Sequence, residues 1–218
     1  MVVATRTTKK YTFPDHAMIA VAGRRRSGKT FLVCDWLKTK LRGKFHHIYI
    51  ISGTAAQQSV FDSFRNQSGV TFLATIDNTR LTSILETNKN NKQKILLLYD
   101  DCAASRNTAG KRFKNDEMLD KLAVMGRHYN ATVIVLTQRL TLLSTTVRSQ
   151  LDALVLFRTN IKQGELAFDE HASIEIEKFE DFWRLLKYCT KEPHSTLLID
   201  ANEHKFYKND SLVRMENK

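Results

Sequence analysis

Gly23-Arg24-Arg25-Arg26-Ser27-Gly28-Lys29-Thr30 has the spacing G-x-x-x-x-G-K-[ST]. The run Met18-Ile19-Ala20-Val21-Ala22 precedes it, and an apolar-periodic segment from Phe31 to Leu41 follows. The order strand, glycine turn, helix is the setting in which this spacing binds phosphate. Gly23 and Gly28 permit backbone angles that a Cβ forbids. The loop can then turn its N–H groups on to phosphate oxygens, and the positive end of the helix adds to the attraction. In that arrangement Lys29 reaches the β- and γ-phosphates and Thr30 ligates Mg2+. Gly23, Arg24, Arg25, Arg26, Ser27, Gly28, Lys29, Thr30 and Phe31 are therefore the expected contacts of a bound triphosphate, taken to be ATP. Arg24, Arg25 and Arg26 fill the variable positions and read as a basic loop surface.

A second acidic half belongs with such a loop. Lys94-Ile95-Leu96-Leu97-Leu98-Tyr99 is a continuous apolar strand ending in Asp100-Asp101. A carboxylate at that point holds the Mg2+ shell, the role expected of Asp100. Asp101, one residue on, is placed to polarise the attacking water. Glu117 is a weaker candidate for the base and reads better as decoration of the first turn of its helix. Thr132-Val133-Ile134-Val135-Leu136-Thr137 is expected to lie between the two motif strands, and its terminal Gln138 then points toward the γ-phosphate.

The 218 residues suit one α/β domain with a sizeable core. Lys plus Arg number 34 against 23 Asp plus Glu, a net charge of +11 that favours a polyanionic partner, most simply nucleic acid. Cys34, Cys102 and Cys189 are scattered, with no C-x-x-C, so neither a zinc site nor a disulfide framework is signalled. The seven histidines form no ligand cluster with them. No apolar run approaches ~18 residues, so no membrane span is expected, and Met1 to Thr12 is too polar for a secretion signal. Residues 1–13 read as a flexible basic arm. Strands alternate with helices through the chain, predicting a layered α/β fold. The segment 165–218 reads as a C-terminal extension with two helical patterns, near 163–170 and 175–188, and a hairpin of Thr196–Asp200 with Lys205–Tyr207. It carries no recognisable motif.

The series becomes more specific when read in order. Gly23–Thr30, Leu96–Asp101, Gly126-Arg127-His128-Tyr129-Asn130 and Val133–Gln138 are followed by Arg148-Ser149-Gln150-Leu151-Asp152 and Phe157-Arg158. Over about residues 15–160 this resembles the genome-packaging ATPases of poxviruses, other large double-stranded DNA viruses and virophages, a branch of the FtsK–HerA superfamily of P-loop NTPases. The resemblance implies a three-layer α/β fold of the additional-strand type, with a central mostly parallel sheet of order 5-1-4-3-2 and helices on both faces. It implies a homo-oligomeric ring, pentamer or hexamer, that hydrolyses ATP with Mg2+ and drives double-stranded DNA into a preformed capsid through a capsid or portal-vertex protein. It places the chain in the host cytoplasm or viral factory, or with the virion, and not in a membrane. It also implies an arginine reaching a neighbour's nucleotide, for which Arg127 and Arg148 rank equal, ahead of Arg158 and Arg139. Many members of the superfamily carry Glu where this chain has Asp101.

Directly after the acidic pair, Ser105 to Lys114 holds Arg106, Lys111, Arg112 and Lys114 and no acid. Such a loop fits the DNA backbone, which is gripped by charge without sequence preference. Three alternatives stay open on sequence alone. One is another FtsK–HerA-type DNA pump. Another is a nucleotide-dependent DNA-binding protein without turnover. The third is a small-molecule kinase, against which the Asp-Asp pair and Gln138 argue.

Overall fold

A computed structural model describes residues 2–74, 78–100 and 117–217. Ten strands form one sheet: β1 (Val2–Lys10), β2 (Met18–Ala22), β3 (His47–Ile51), β4 (Val70–Leu73), β5 (Ile95–Tyr99), β6 (Ala131–Thr137), β7 (Ala153–Leu156), β8 (Leu197–Asp200), β9 (Lys205–Lys208) and β10 (Ser211–Asn217). Their order is β1-β10-β9-β8-β7-β2-β6-β5-β3-β4. From β7 to β4 every pairing is parallel. From β7 outward to β1 every pairing is antiparallel.

The central five strands, β7-β2-β6-β5-β3, stand in the relative order 5-1-4-3-2. The sheet as a whole differs from that expectation, because β4 extends one edge and β8, β9, β10 and β1 extend the other. One reason is the pairing of Val2–Arg6 with Val213–Asn217. Residues 2–13 are therefore not the flexible arm anticipated for 1–13 from its charge: 2–10 form an edge strand. Behind it, the Tyr11 and Phe13 rings are buried and pack edge-on against Tyr207 and Trp36. A basic, polar composition concealed two anchoring aromatics.

Side-chain alternation along the buried strands builds two cores, one on each face of the sheet. Ile19 and Val21 of β2, with Leu96 and Leu98 of β5, meet Val33, Cys34, Trp36 and Leu37 of α1 (Lys29–Lys38) and Phe64 of α2 (Asp62–Arg65). Met18, Ala20 and Ala22, with Leu97 and Tyr99, meet the opposite layer. That layer comprises α3 (Asn78–Asn90), α4 (Glu117–Met125), α5 (Thr145–Ser149), α6 (Ile161–His171) and α7 (Phe179–Cys189). Helices thus cover both faces, as expected of a three-layer α/β fold. Met125 is exposed at the end of α4. The helix gives way there to a 3-10 turn, Gly126–Tyr129, which rotates the next buried side chain to Tyr129.

The anticipated hairpin is β8 and β9, and the C-terminal segment is continuous with the main sheet through Leu154–Ile199 and its neighbours. The α6 and α7 helices touch closely at Gly164, where a Cβ would lie 2.7 Å from the Trp183 ring. At the strand starts, Asp152 ties β2 to this extension. Its Oδ2 accepts the Met18 N–H at 2.7 Å and its Oδ1 accepts Asn202 Nδ2–H at 2.9 Å. No helix among the described residues is long and apolar enough to cross a membrane.

Candidate nucleotide site

The phosphate loop leaves the C-terminal end of β2, next to the ends of β6 and β7. Gly23 N–H donates to the Thr137 carbonyl at 3.1 Å, and Phe157 N–H donates to the Ala22 carbonyl at 2.9 Å. Gly28 sits at φ 102°, the left-handed region open to glycine, and caps α1 without a side-chain hydrogen bond. The first turn of α1 holds no acid. No carboxylate of that turn offsets the positive end of its dipole.

Lys29 folds back on the loop, its Nζ donating to the carbonyls of Gly23 at 2.8 Å and Arg24 at 3.0 Å. Beneath it, Thr30 Oγ1–H donates to Asp100 Oδ1 at 3.1 Å across a sequence separation of 70 residues. Asp100 is 3% exposed. A carboxylate buried to that depth needs donors, and a second one comes from an unforeseen residue. Gln58 Nε2–H reaches Asp100 Oδ2 at 3.2 Å and Thr54 Oγ1 at 2.7 Å. Lys29, Thr30, Asp100, Gln58, Gln138 and Arg26 line one cavity of about 480 Å³. The hydroxyl and carboxylate at its floor are hard oxygen donors, the set that suits Mg2+. No group of three or more His, Cys, Asp or Glu gathers anywhere among the described residues to hold a metal.

On its other flank the loop is braced by the C-terminal extension. The His194 Nδ1 lies 2.8 Å from the Ser27 carbonyl. A carbonyl only accepts, so Nδ1 carries the hydrogen. The brace is close-fitting, since a Cβ on Gly28 would stand 2.9 Å from that same nitrogen. A second cavity of about 660 Å³ opens here between the loop, Phe157–Thr159 and the turn Thr190–Ser195.

The structure therefore brings together Gly23, Arg24, Arg25, Arg26, Ser27, Gly28, Lys29, Thr30, Asp100 and Gln138. Phe31 is also at the loop, but its ring is 72% exposed and borders neither cavity. Arg127 and Arg148 stand apart. Arg127 is exposed on the 3-10 turn leading into β6, and borders a cleft with Met18, Ala131 and Asp152 at the strand starts, the opposite edge from the loop. Arg148 is engaged within its own subunit. Its Nε donates to both Glu170 carboxylate oxygens, at 3.0 and 2.8 Å, and its Nη1 to the Leu143 carbonyl at 2.8 Å. Asp101, Arg106, Lys111, Arg112 and Lys114 lie outside the described residues. Thr54, Gln58 and His194 were not foreseen. They reach the loop only through strand order, and no local spacing marks them.

Comparison with known proteins follows this geometry. No curated protein matches the chain. Among solved structures, B204, the DNA-packaging ATPase from Sulfolobus turreted icosahedral virus, superimposes with a TM-score of 0.65 at 18% identity, covering 90% of this chain and 98% of that one. The genome-packaging NTPase B204 of Sulfolobus turreted icosahedral virus 2, in complex with AMPPCP, gives 0.62 at 18% identity with the same coverage. ATPases 2 and 3 of EssC from Geobacillus thermodenitrificans give 0.59 at 11% identity, covering 94% of this chain and 40% of that one. These likenesses show a shared fold. The model of the family described as Poxvirus A32 protein matches residues 7–191, most of the chain, and the chain belongs to that family.

Proposed function

We propose that this protein is an ATP-hydrolysing motor that moves double-stranded DNA into a preformed viral capsid. The observation that carries the reading is the Thr30–Asp100 hydrogen bond at the floor of the phosphate-loop cavity, within a chain of the Poxvirus A32 protein family. The B204 structures, similar in fold, are those of packaging NTPases, one of them bound to AMPPCP.

In this reading the loop N–H groups and the α1 N-terminus bind the phosphates, and Lys29 leaves the Gly23 and Arg24 carbonyls for the γ-phosphate oxygens. Thr30 and Asp100 would hold Mg2+, and the charge neutralisation a bound Mg2+ supplies would favour phosphoryl transfer. Asp101 orients the attacking water and takes its proton. Gln138, at the end of β6, borders the same cavity and reports the state of the γ-phosphate to that strand. An arginine of a neighbouring subunit completes the site, so the active form is a ring, pentamer or hexamer. Arg127 is the better candidate, because Arg148 is already occupied by Glu170. The basic residues Arg106, Lys111, Arg112 and Lys114, following Asp101 in sequence, grip DNA phosphates. A capsid or portal-vertex protein receives the ring, in the host cytoplasm or viral factory.

The test is steady-state ATP hydrolysis with and without long double-stranded DNA. Turnover should rise with DNA and disappear in Lys29→Ala and Asp101→Asn proteins. Turnover that survives both substitutions would place the chemistry elsewhere.

A further inference from the structure

The edge of the sheet opposite the phosphate loop, where β3, β5 and β6 begin, takes no part in the chemistry above. Three loops enter those strands, 39–46, 91–94 and 126–130. None of them contains an acid, and Arg42, Lys44, Lys92, Lys94 and Arg127 are among their residues. Lys89, in the last turn of α3, stands just before the second loop. Lys94 Nζ is paired with Asp15 at 2.8 Å. Arg42, Lys44, Lys89 and Lys92 are exposed, and no carboxylate among the described residues pairs with them.

Hydrogen bonds fix these loops to one another. His46 N–H donates to the Lys94 carbonyl at 2.8 Å, and Lys94 N–H donates back to His46 Nδ1 at 3.0 Å. Ile95 N–H donates to the Asn130 carbonyl at 3.0 Å. His47 pairs with Ile95 and Ile95 with Ala131, which sets the three loops in a row about 10 Å across, at about 4.8 Å per strand. Lys89 Nζ lies 5.7 Å and Lys121 Nζ 5.6 Å from the centroid of the Tyr129 ring. The face of a ring positions a cation without cancelling its charge. Lys89 is therefore placed yet left positive. Tyr129 is itself buried, so its ring offers no face on which a base could stack.

Like charges gathered on one edge repel, a cost that an anionic partner removes. The row of about 10 Å lies between the minor- and major-groove widths of B-DNA, about 6 and 12 Å, so cations along it can meet phosphates on both sides of a groove. We infer that this edge binds the phosphate backbone of duplex DNA, through Arg42 and Lys44 of the loop entering β3 and Lys89 and Lys92 of the turn entering β5. The inference rests on the DNA-moving reading given above. It adds a second contact, separate in sequence from the basic residues that follow Asp101 and on the side of the sheet away from ATP. With charge and no exposed stacking ring, the contact holds the duplex without reading its sequence.

The experiment follows binding of a fluorescent DNA duplex to the full chain by anisotropy at several salt concentrations. Arg42→Gln/Lys44→Gln/Lys89→Gln/Lys92→Gln is compared with wild type and with a charge-matched control, Lys162→Gln/Lys178→Gln/Arg184→Gln/Lys187→Gln, on α6 and α7. Arg127 stays native throughout. The edge variant should flatten the slope of log K against log salt by about two to four, and weaken binding at 0.1 M salt by about tenfold or more, since each phosphate contact contributes about 0.9 to that slope. Its affinity for a non-hydrolysable ATP analogue and its Tm should match wild type. If the fourfold variant unfolds early, the pairs Arg42→Gln/Lys44→Gln and Lys89→Gln/Lys92→Gln should each give about half the change in slope. The control should keep the wild-type slope. An equal loss in the control overturns the assignment, because net charge alone would then explain it. An edge variant that binds duplex like wild type but loses affinity for polyglutamate overturns it too, and makes the edge a dock for an acidic protein. Wild-type protein without affinity for duplex refutes the DNA-moving reading itself, whereas duplex affinity that the edge variant keeps in full refutes the edge alone.

Discussion

Replacing Arg148 with alanine separates two roles for one side chain. Arg148 makes two charge-assisted hydrogen bonds to Glu170 and one to the Leu143 carbonyl, with its side chain 11% exposed and that of Glu170 25% exposed. A fully buried pair would cost about 3–5 kcal/mol to break, because the remaining charge is stranded. Glu170 can recover water at its exposed edge, so the loss should be smaller, about 2 kcal/mol. For 218 residues the unfolding entropy is about 0.46 kcal/mol per degree, which makes this a fall of about 4 °C in Tm. Urea unfolding of Arg148→Ala, Glu170→Gln and the double variant should give a coupling of about 1–2 kcal/mol. Additive losses, or an Arg148→Ala protein within about 0.5 kcal/mol of wild type, would refute the argument. The same energy bears on mechanism. Arg148 would have to surrender these bonds to reach a neighbour, whereas Arg127 is already exposed. Arg127→Ala should therefore abolish hydrolysis with no loss of Tm, and a fully active Arg127→Ala would end its candidacy.

Other substitutions probe the packing and the site. Gly164→Leu should lower stability by about 1–3 kcal/mol by forcing α6 from the Trp183 ring, and a neutral result in urea unfolding would contradict the close contact. The Cys34 thiol is pushed up to about 12, by burial first and by the Asp100 charge second. A raised thiol pKa stabilises the fold below the unfolded value of 9.0, and that stability fades as pH climbs from there toward 12. Cys34→Ala should flatten this alkaline slope, and native Cys34 should resist alkylation at pH 8; rapid labelling of folded protein would oppose it. Gln58→Ala removes a donor from the Asp100 carboxylate and should weaken Mg2+-dependent binding of a non-hydrolysable ATP analogue by about tenfold, as outer-shell partners do. Unchanged Mg2+ dependence in calorimetry would show that Asp100 needs no such support.

The phosphate site was readable in the chain because its parts are local. Gly28, Lys29 and Thr30 are consecutive, and Asp100 ends a strand whose burial is evident from five apolar residues in a row. Gln138 was readable for the same reason, as the polar residue after seven buried ones. What could not be read depends on distant pairing. Gln58 lies in a loop without periodicity and meets Asp100 only because β3 pairs with β5. His194 meets Ser27 across 167 residues because β8 pairs with β7. The charge of the first residues suggested solvent, yet β1 hydrogen-bonds to β10, a partner over two hundred residues away. Arg148 looked available because its motif gives no sign of Glu170, which arrives from a later helix.

Translocation itself is best tested by displacement of a third strand from a linear duplex. Protein, ATP and Mg2+ should release a triplex-forming oligonucleotide placed far from the duplex end, and Lys29→Ala protein should release none. Wild-type protein that hydrolyses ATP in the presence of the duplex, yet leaves the third strand in place, would contradict a DNA-moving motor.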